Sequence, residues 1–342
     1  MAGTLLPITV LLTPKKSRKI PMNPLVISPP NAELVRALPA ADLDRAAEFA
    51  QAEKAASTRK AYGSDFSIFR DWCLARCVNT LPASPETVAA FLAYEAESGL
   101  RPSTITRRCA AIRYAHKLAD LEPPTDSEVV KATLRGIHRS LGAAPARKAP
   151  VLAETARAMA FAAPKRLKGL RDCALLLLGF SGALRRSELV ALNVNDLEET
   201  DDGFRITIRQ SKTDQEGHGQ VIAVIRGGAC CPVKAVKAWL AASGISEGPI
   251  FRPIGKGGRL QNSRLTAKSV CNLVKVYARR LGLNPADFGA HSLRAGFLTS
   301  AARRGASIFK MRDVSRHKSM DVLQAYVRDA DLFRDHAGAG LL

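Results

Sequence analysis

Nothing in this chain of 342 residues stays apolar for long. The two best stretches, Leu5 to Leu12 and Cys173 to Ala183, fall short of the roughly 18 residues that a membrane-crossing helix requires. No membrane partner is expected. Acidic residues are scarce, 31 against 51 lysines and arginines, and they do not gather as a two-metal nuclease would want. Seven cysteines are an odd number, and neither Cys73 with Cys77 nor Cys230 with Cys231 has a second pair at metal-ligand spacing. Free thiols in a reducing compartment are therefore expected. The phosphate-cradling GxxxxGK(S/T) loop, a GxGxxG turn after a strand and the HExxH helix motif are all missing, which removes the sequence basis for ATP, dinucleotide and zinc-protease chemistry. Neither a cofactor nor a metal is expected. A secretory signal would place its positive charges ahead of the apolar stretch, whereas Lys15, Lys16, Arg18 and Lys19 follow it. The expected location is cytoplasmic.

What is abundant is positive charge. The formal net charge is +20, yet 46% of residues are hydrophobic and 24% charged, which is ordinary globular usage. The excess charge thus belongs to a folded body and not to a basic tail, and it points to a polyanion as partner. The length suggests about two domains.

Residues 1–40 carry prolines at 7, 14, 21, 24, 29, 30 and 39 with little periodicity, which reads as an N-terminal extension. From Leu43 the apolar spacing becomes helical: Leu43, Ala46, Ala47 and Ala50, then Tyr62, Phe66, Phe69, Trp72 and Cys73. Ser57 and Thr58 are candidate N-caps for that second helix. Ser84-Pro85 opens a third helix that stops near Gly99, Pro102 opens a fourth reaching Leu118, and Ser127 to Ser140 holds a fifth. The expectation for 41–142 is a small all-helical domain. Its fourth helix carries Arg101, Arg107, Arg108, Arg113 and Lys117, which at 3.6 residues per turn can share an exposed face suited to phosphates. A solvated face would look the same. Continuation of the strip through Arg135, His138, Arg139, Arg147 and Lys148 favours nucleic acid.

The Ala- and Pro-rich basic segment 143–150 is the expected linker to a second domain, 151–342. There, Phe204 to Arg209 and Gln220 to Ile225 read as strands joined by a polar hairpin loop. Helical patterns return at Cys231 to Ser243, Thr266 to Leu281, His291 to Arg304 and Ile308 to Val314. The expected fold class is mainly α with a small β-hairpin sheet in the second domain.

Three cationic clusters stand in order along this second domain: Leu184-Arg185-Arg186-Ser187-Glu188-Leu189, then His291-Ser292-Leu293-Arg294, then Arg316-His317-Lys318, followed by Tyr326 nine residues after His317. Each alone is common. Together and in this order they resemble the boxes of the tyrosine site-specific recombinases, the phage integrase family, in a Cre-like two-domain layout over residues 43–342. Two departures stand out: Ser315-Arg316 replaces the usual Leu-Gly before the third-box histidine, and Ala183 separates Gly182 from Leu184. Arg186 competes with Arg185 for the first arginine position, but the register set by Glu188-Leu189 favours Arg185.

The resemblance implies an all-helical, SAM-like core-DNA-binding domain and an α+β catalytic domain. It implies a metal- and ATP-independent enzyme that cleaves and rejoins double-stranded DNA through a 3′-phosphotyrosyl intermediate, for integration, excision or resolution. The residue types suit that chemistry. A tyrosine oxygen forms a reversible phosphate ester, and Tyr326 is the implied nucleophile. Two guanidiniums, Arg185 and Arg294, clamp the negative transition state, with His317 as a further donor. His291 is the implied general base and Lys212, on the hairpin, the general acid. Glu188 is the implied support of an arginine. The implied DNA-backbone contacts are Arg101, Arg107, Arg108, Arg113, Lys117, Arg139, Arg147 and Lys148. The implied assembly is a homotetramer on two specific recombination sites, with room for accessory proteins, and a tail from Val327 to Leu342 that packs on a neighbouring protomer. Two other functions share parts of this pattern: monomeric supercoil relaxation of the type IB topoisomerase kind, and a catalytically inactive DNA-binding or architectural protein. The complete residue set argues against the inactive reading, and the helical domain argues against the topoisomerase.

Overall fold

A computed structural model describes residues 39, 41, 42, 44, 45, 48, 49, 53–142, 148–209, 219–330, 332, 338 and 339. The chain forms two compact units, Met1–Pro145 and Ala146–Leu342. Leu43, Ala46, Ala47 and Ala50 of the first expected helix, the lysine-bearing hairpin loop and most of the C-terminal tail lie outside the described residues.

In the first unit, α1 spans Ala56–Leu74, α2 Pro85–Glu97, α3 Pro102–Leu118 and α4 Glu128–Leu141. Their starts follow the expected signals with one exception. Ser84 caps α2 by accepting the Thr87 amide at 3.2 Å, and Ser127 caps α4 through the Val130 amide at 3.4 Å. Pro102 opens α3, where its missing N–H would have had no intrahelical partner. Ser57 and Thr58, by contrast, are not caps: α1 begins a residue earlier, at Ala56, and its N-cap Ala55 supplies only a carbonyl to the Thr58 and Arg59 amides. The helices enclose Phe69, Val88, Phe91, Leu92, Ile105, Ile112 and Val130. Phe69 meets Phe91 edge-on at 5.0 Å between ring centroids.

The second unit holds α5 (Ala153–Phe161), α6 (Leu167–Ser181), α7 (Arg186–Ala191), α8 (Pro232–Ser243), α9 (Ala267–Arg280), α10 (His291–Arg303), α11 (Ile308–Ser315) and α12 (Met320–Ala330). Its sheet is antiparallel in the order β1-β2-β3, with β1 Leu197–Glu199, β2 Gly203–Ile208 and β3 Gln220–Ile225. Alternation sets the faces: Phe204, Ile206 and Ile208 of β2 join Ile222 and Val224 of β3 in the core, while Val221 and Ile225 are exposed. Strand β1, only three residues long, lacks the length that would make its alternation readable, and the sequence reading missed it.

The main core gathers around α6, whose Leu175, Leu176 and Leu178 are fully buried, and Trp239, whose indole N–H donates to the Ile250 carbonyl at 2.8 Å. Helix α10 presses on the incoming chain at Gly296. A Cβ there would fall within the radius of the Val151 carbonyl oxygen, so only glycine permits this approach, which the Val151 amide secures by donating to the Ser292 carbonyl at 2.8 Å. A separate small core joins α10, α11 and α12 through Leu298, Ala302, Met311 and Leu323. Among the described residues no helix is long and apolar enough to cross a membrane.

Candidate active site

The first arginine box sits where α6 ends and α7 begins. Gly182 and Ala183 close α6 with backbone bonds to Leu178 and Phe180, and the buried Ala183 adopts a left-handed φ of 45°. That strained turn aims the Ala183 carbonyl inward, where it accepts from Arg294 Nη1 at 2.6 Å. The alanine that looked like an insertion in the box is therefore a docking point for the second arginine.

Arg185 is the N-cap of α7. Its backbone N–H donates to Glu188 Oε2 at 2.8 Å and its Nη1 to Glu188 Oε1 at 2.6 Å. Arg186 is exposed, whereas Arg185 is the arginine bonded to Glu188. Arg316 reaches the same carboxylate from 128 residues away, with Nη2 at 2.7 Å from Glu188 Oε2. Burial works against the Glu188 carboxylate, but the Arg316 charge and the hydrogen bonds from Arg185 outweigh it and hold its pKa below the ordinary carboxylate value.

Arg294, on α10, is only 1% exposed. Its Nη2 lies 3.2 Å from His317 Nδ1 and 3.3 Å from Nε2, and Ser315 Oγ lies 2.8 Å from Nδ1 on the other side. Burial, then the charges of Arg294 and Arg185, drive the His317 pKa down to about 3. This imidazole is neutral at any pH near 7. Burial, helped by Arg185 and Arg316, likewise lowers Arg294 to about 9, which leaves it charged at neutral pH. His291, the first residue of α10, opens to solvent, and the protein mass around it, followed by Arg294 and Arg185, lowers its pKa.

Tyr326, on α12, packs half-buried against the small core of Leu298, Ala302, Met311 and Leu323. Loss of the Tyr326 phenolic proton would raise the Arg294 pKa, which couples the two groups electrostatically. The structure therefore forms two hydrogen-bonded groups, Arg185 with Glu188 and Arg316, and Arg294 with His317 and Ser315, which meet where Arg316 adjoins His317; His291 and Tyr326 lie in their field, and sequence reasoning noted Arg316 and Ser315 only as departures from a pattern. Arg316 and His317 also line an open cleft with Gln220, Val221, Arg312 and Lys318. Lys212 and Arg147 lie outside the described residues.

The expected basic face of α3 needs correction. Arg101 and Lys117 are exposed, as is Arg139 on α4. Arg107 is half-exposed and donates to Asp65 through Nε at 2.7 Å and Nη2 at 3.1 Å. Arg108 does not share that face. Its side chain is 13% exposed and lies between the buried carboxylates of Asp65 and Glu95. A buried acid captures the nearest long cation, which explains why helical spacing alone misplaces it. Arg113 pairs with Asp126. Lys148, at the entry to the second unit, donates to the Ala286 carbonyl at 2.5 Å.

Comparison with known proteins gives a consistent result. Residues 152–332 match the model of the phage integrase family. An integrase/recombinase xerD homolog of Selenomonas ruminantium is 40% identical over 289 residues, covering 83% of this chain and 84% of that protein. Recombinase cre of Escherichia phage P1 is 26% identical over 280 residues, 76% of this chain and 80% of that one. Among solved structures, a lambda integrase dimer bound to a COC′ core site superposes with a TM-score of 0.59 at 18% identity, covering 84% and 94% of the two chains. The XerH site-specific recombinase bound to a palindromic difH substrate gives 0.53 at 15% identity, covering 73% and 70%.

Proposed function

This chain belongs to the phage integrase family of tyrosine recombinases, enzymes that cleave and rejoin DNA at specific sites, and from that premise we propose that Tyr326 is its nucleophile and Arg185 and Arg294 its phosphate clamp. The observation that carries this reading is the convergence of Arg185, Arg294 and His317, drawn from three separate elements, beside the tyrosine-bearing helix.

In this mechanism the Tyr326 oxygen attacks the scissile phosphate, forms the 3′-phosphotyrosyl ester and displaces the 5′ oxygen. The charge that builds on the non-bridging oxygens meets donors already in place. Arg294 is fixed at Nη1 by the Ala183 carbonyl, and Arg185 at Nη1 by Glu188, so neither must reorganise as the reaction proceeds. His317, neutral under working conditions, serves as a hydrogen-bonding partner and not as a third cation. His291, whose lowered pKa keeps it unprotonated near neutrality, accepts the phenolic proton, and Lys212 supplies one to the leaving 5′ oxygen. Attack by that 5′ hydroxyl or by one from a partner duplex reverses the ester and rejoins the strand.

The two units are read as a core-DNA-binding domain and a catalytic domain, in which Arg101, Lys117 and Arg139 contact the backbone phosphates of duplex DNA and Arg107 and Arg113 do so alongside their carboxylate partners. The working species is a homotetramer on two recombination sites, located in the cytoplasm, with accessory proteins where a site demands them. The test uses duplexes enriched by binding from a random pool and nicked at successive positions. The native protein forms a covalent adduct that Tyr326→Phe abolishes with DNA binding retained, and Arg294→Ala lowers its rate by on the order of a hundredfold. An adduct that survives Tyr326→Phe would overturn the assignment.

A further inference from the structure

We propose that Arg316 is a positioning residue for the cleavage step: its guanidinium takes up part of the Glu188 carboxylate so that Arg185 stays oriented and electrostatically available to the phosphate. The inference rests on the functional reading above.

Three observations carry it. The first is the division of Glu188. Oε1 accepts from Arg185 Nη1, while Oε2 accepts both the Arg185 backbone N–H at 2.8 Å and Arg316 Nη2 at 2.7 Å. Both side chains of the Glu188–Arg316 pair are almost wholly buried, at 1% and 3% exposure, so the interaction is poorly screened. Left with Arg185 alone, the carboxylate would direct its whole charge at one guanidinium of the proposed phosphate clamp. With Arg316 present the cluster holds three guanidiniums, Arg185, Arg294 and Arg316, around one carboxylate, and the excess positive charge remains for the phosphate.

The second observation is the backbone. Arg316 sits in the left-handed region, φ 59° and ψ 42°, as the C-cap of α11. Glycine would meet that turn without strain. The turn places the residue's carbonyl 3.4 Å from Arg185 Nη2, and the arginine side chain adds an Nη1 2.6 Å from the Val314 carbonyl. One residue thus ties Arg185, Glu188 and the end of α11 together, directly before His317.

The third is an open bond. Among the described residues Arg316 Nε is buried and has no hydrogen-bond partner. A side chain kept for the turn alone would have no reason to carry an unsatisfied buried donor.

The test separates the turn from the guanidinium. In Arg316→Gly the strained backbone is relieved, and in Arg316→Met the bulk is kept without charge. On nicked duplexes, with native adduct formation and its loss in Tyr326→Phe as the controls for the functional reading itself, both variants are expected to bind DNA as the native protein does. They should form adduct about tenfold or more slowly at saturating protein, with Arg316→Lys recovering most of that rate. Because the action runs through Glu188, adding Arg316→Gly to Glu188→Gln should slow cleavage by less than about twofold further. Native-rate cleavage by the glycine or methionine variant would overturn the proposal. So would a lysine variant as slow as glycine, a fully multiplicative double mutant, or losses matched by weaker DNA binding.

Discussion

Replacing His317 with glutamine should change how the stability of the second unit depends on pH, and the size follows from the site. The folded site holds this imidazole at about 3, first through burial and then through the charges of Arg294 and Arg185, against an ordinary value of 6.5 in the unfolded chain. Between those values the unfolded chain takes up a proton that the folded one refuses. Stability therefore declines as pH falls through 6.5 and is unaffected by this group well above it. At ~1.36 kcal/mol per pH unit, lowering the pH from 6.5 to 5 withdraws ~2 kcal/mol, a figure set by the ordinary histidine value and unchanged for any folded value below about 4. The assay is urea unfolding at about pH 7.5 and pH 5. The chain has two tryptophans, Trp72 in the first unit and the fully buried Trp239 in the second, so a Trp72→Phe background isolates the relevant transition. His317→Gln loses the Ser315 and Arg294 contacts at both pH values, but its stability should fall by ~2 kcal/mol less than the parent's between them. Parallel decline of the two proteins would refute the half-buried, neutral imidazole.

Two further outcomes test the packing that supports the site. Gly296→Ala should destabilise the second unit by about 1–3 kcal/mol, read on Trp239, because the added methyl collides with the Val151 backbone on the helix that carries His291 and Arg294. Asp65→Ala should destabilise the first unit by about 3 kcal/mol, since it strands Arg107 and the largely buried Arg108; Trp72 should report the loss while the Trp239 transition stays in place.

The order of Arg185, His291, Arg294, His317 and Tyr326 was legible because each lies in a short box whose local spacing survives folding. Most helix starts were legible for the same reason: Ser84, Ser127 and Thr266 each accept from an amide three residues on, and Pro102 needs no partner for the N–H it lacks. What escaped depends on partners far along the chain. Arg316 reads as a departure from a pattern until Glu188, far back in the sequence, is seen beneath it. Arg108 fits an exposed stripe until the buried Asp65 and Glu95 draw it inward. Ala183 looks like an insertion because sequence does not show its left-handed backbone or the guanidinium that its carbonyl receives.

The small core beneath α12 sets a firmness as well as a position. Among its described side chains helix α12 contributes one that is fully buried, Leu323, with Met320, Tyr326, Val327 and Ala330 packed partly around it. A buried leucine stabilises by only about 1.5–3 kcal/mol, far less than the extensive core around α6 supplies to the rest of the unit. The amides of α12 are expected to exchange with solvent before those of α6, a comparison that hydrogen exchange measures directly. How firmly Tyr326 is held then depends on the apolar packing beneath it, to which Met311 and Leu298 contribute.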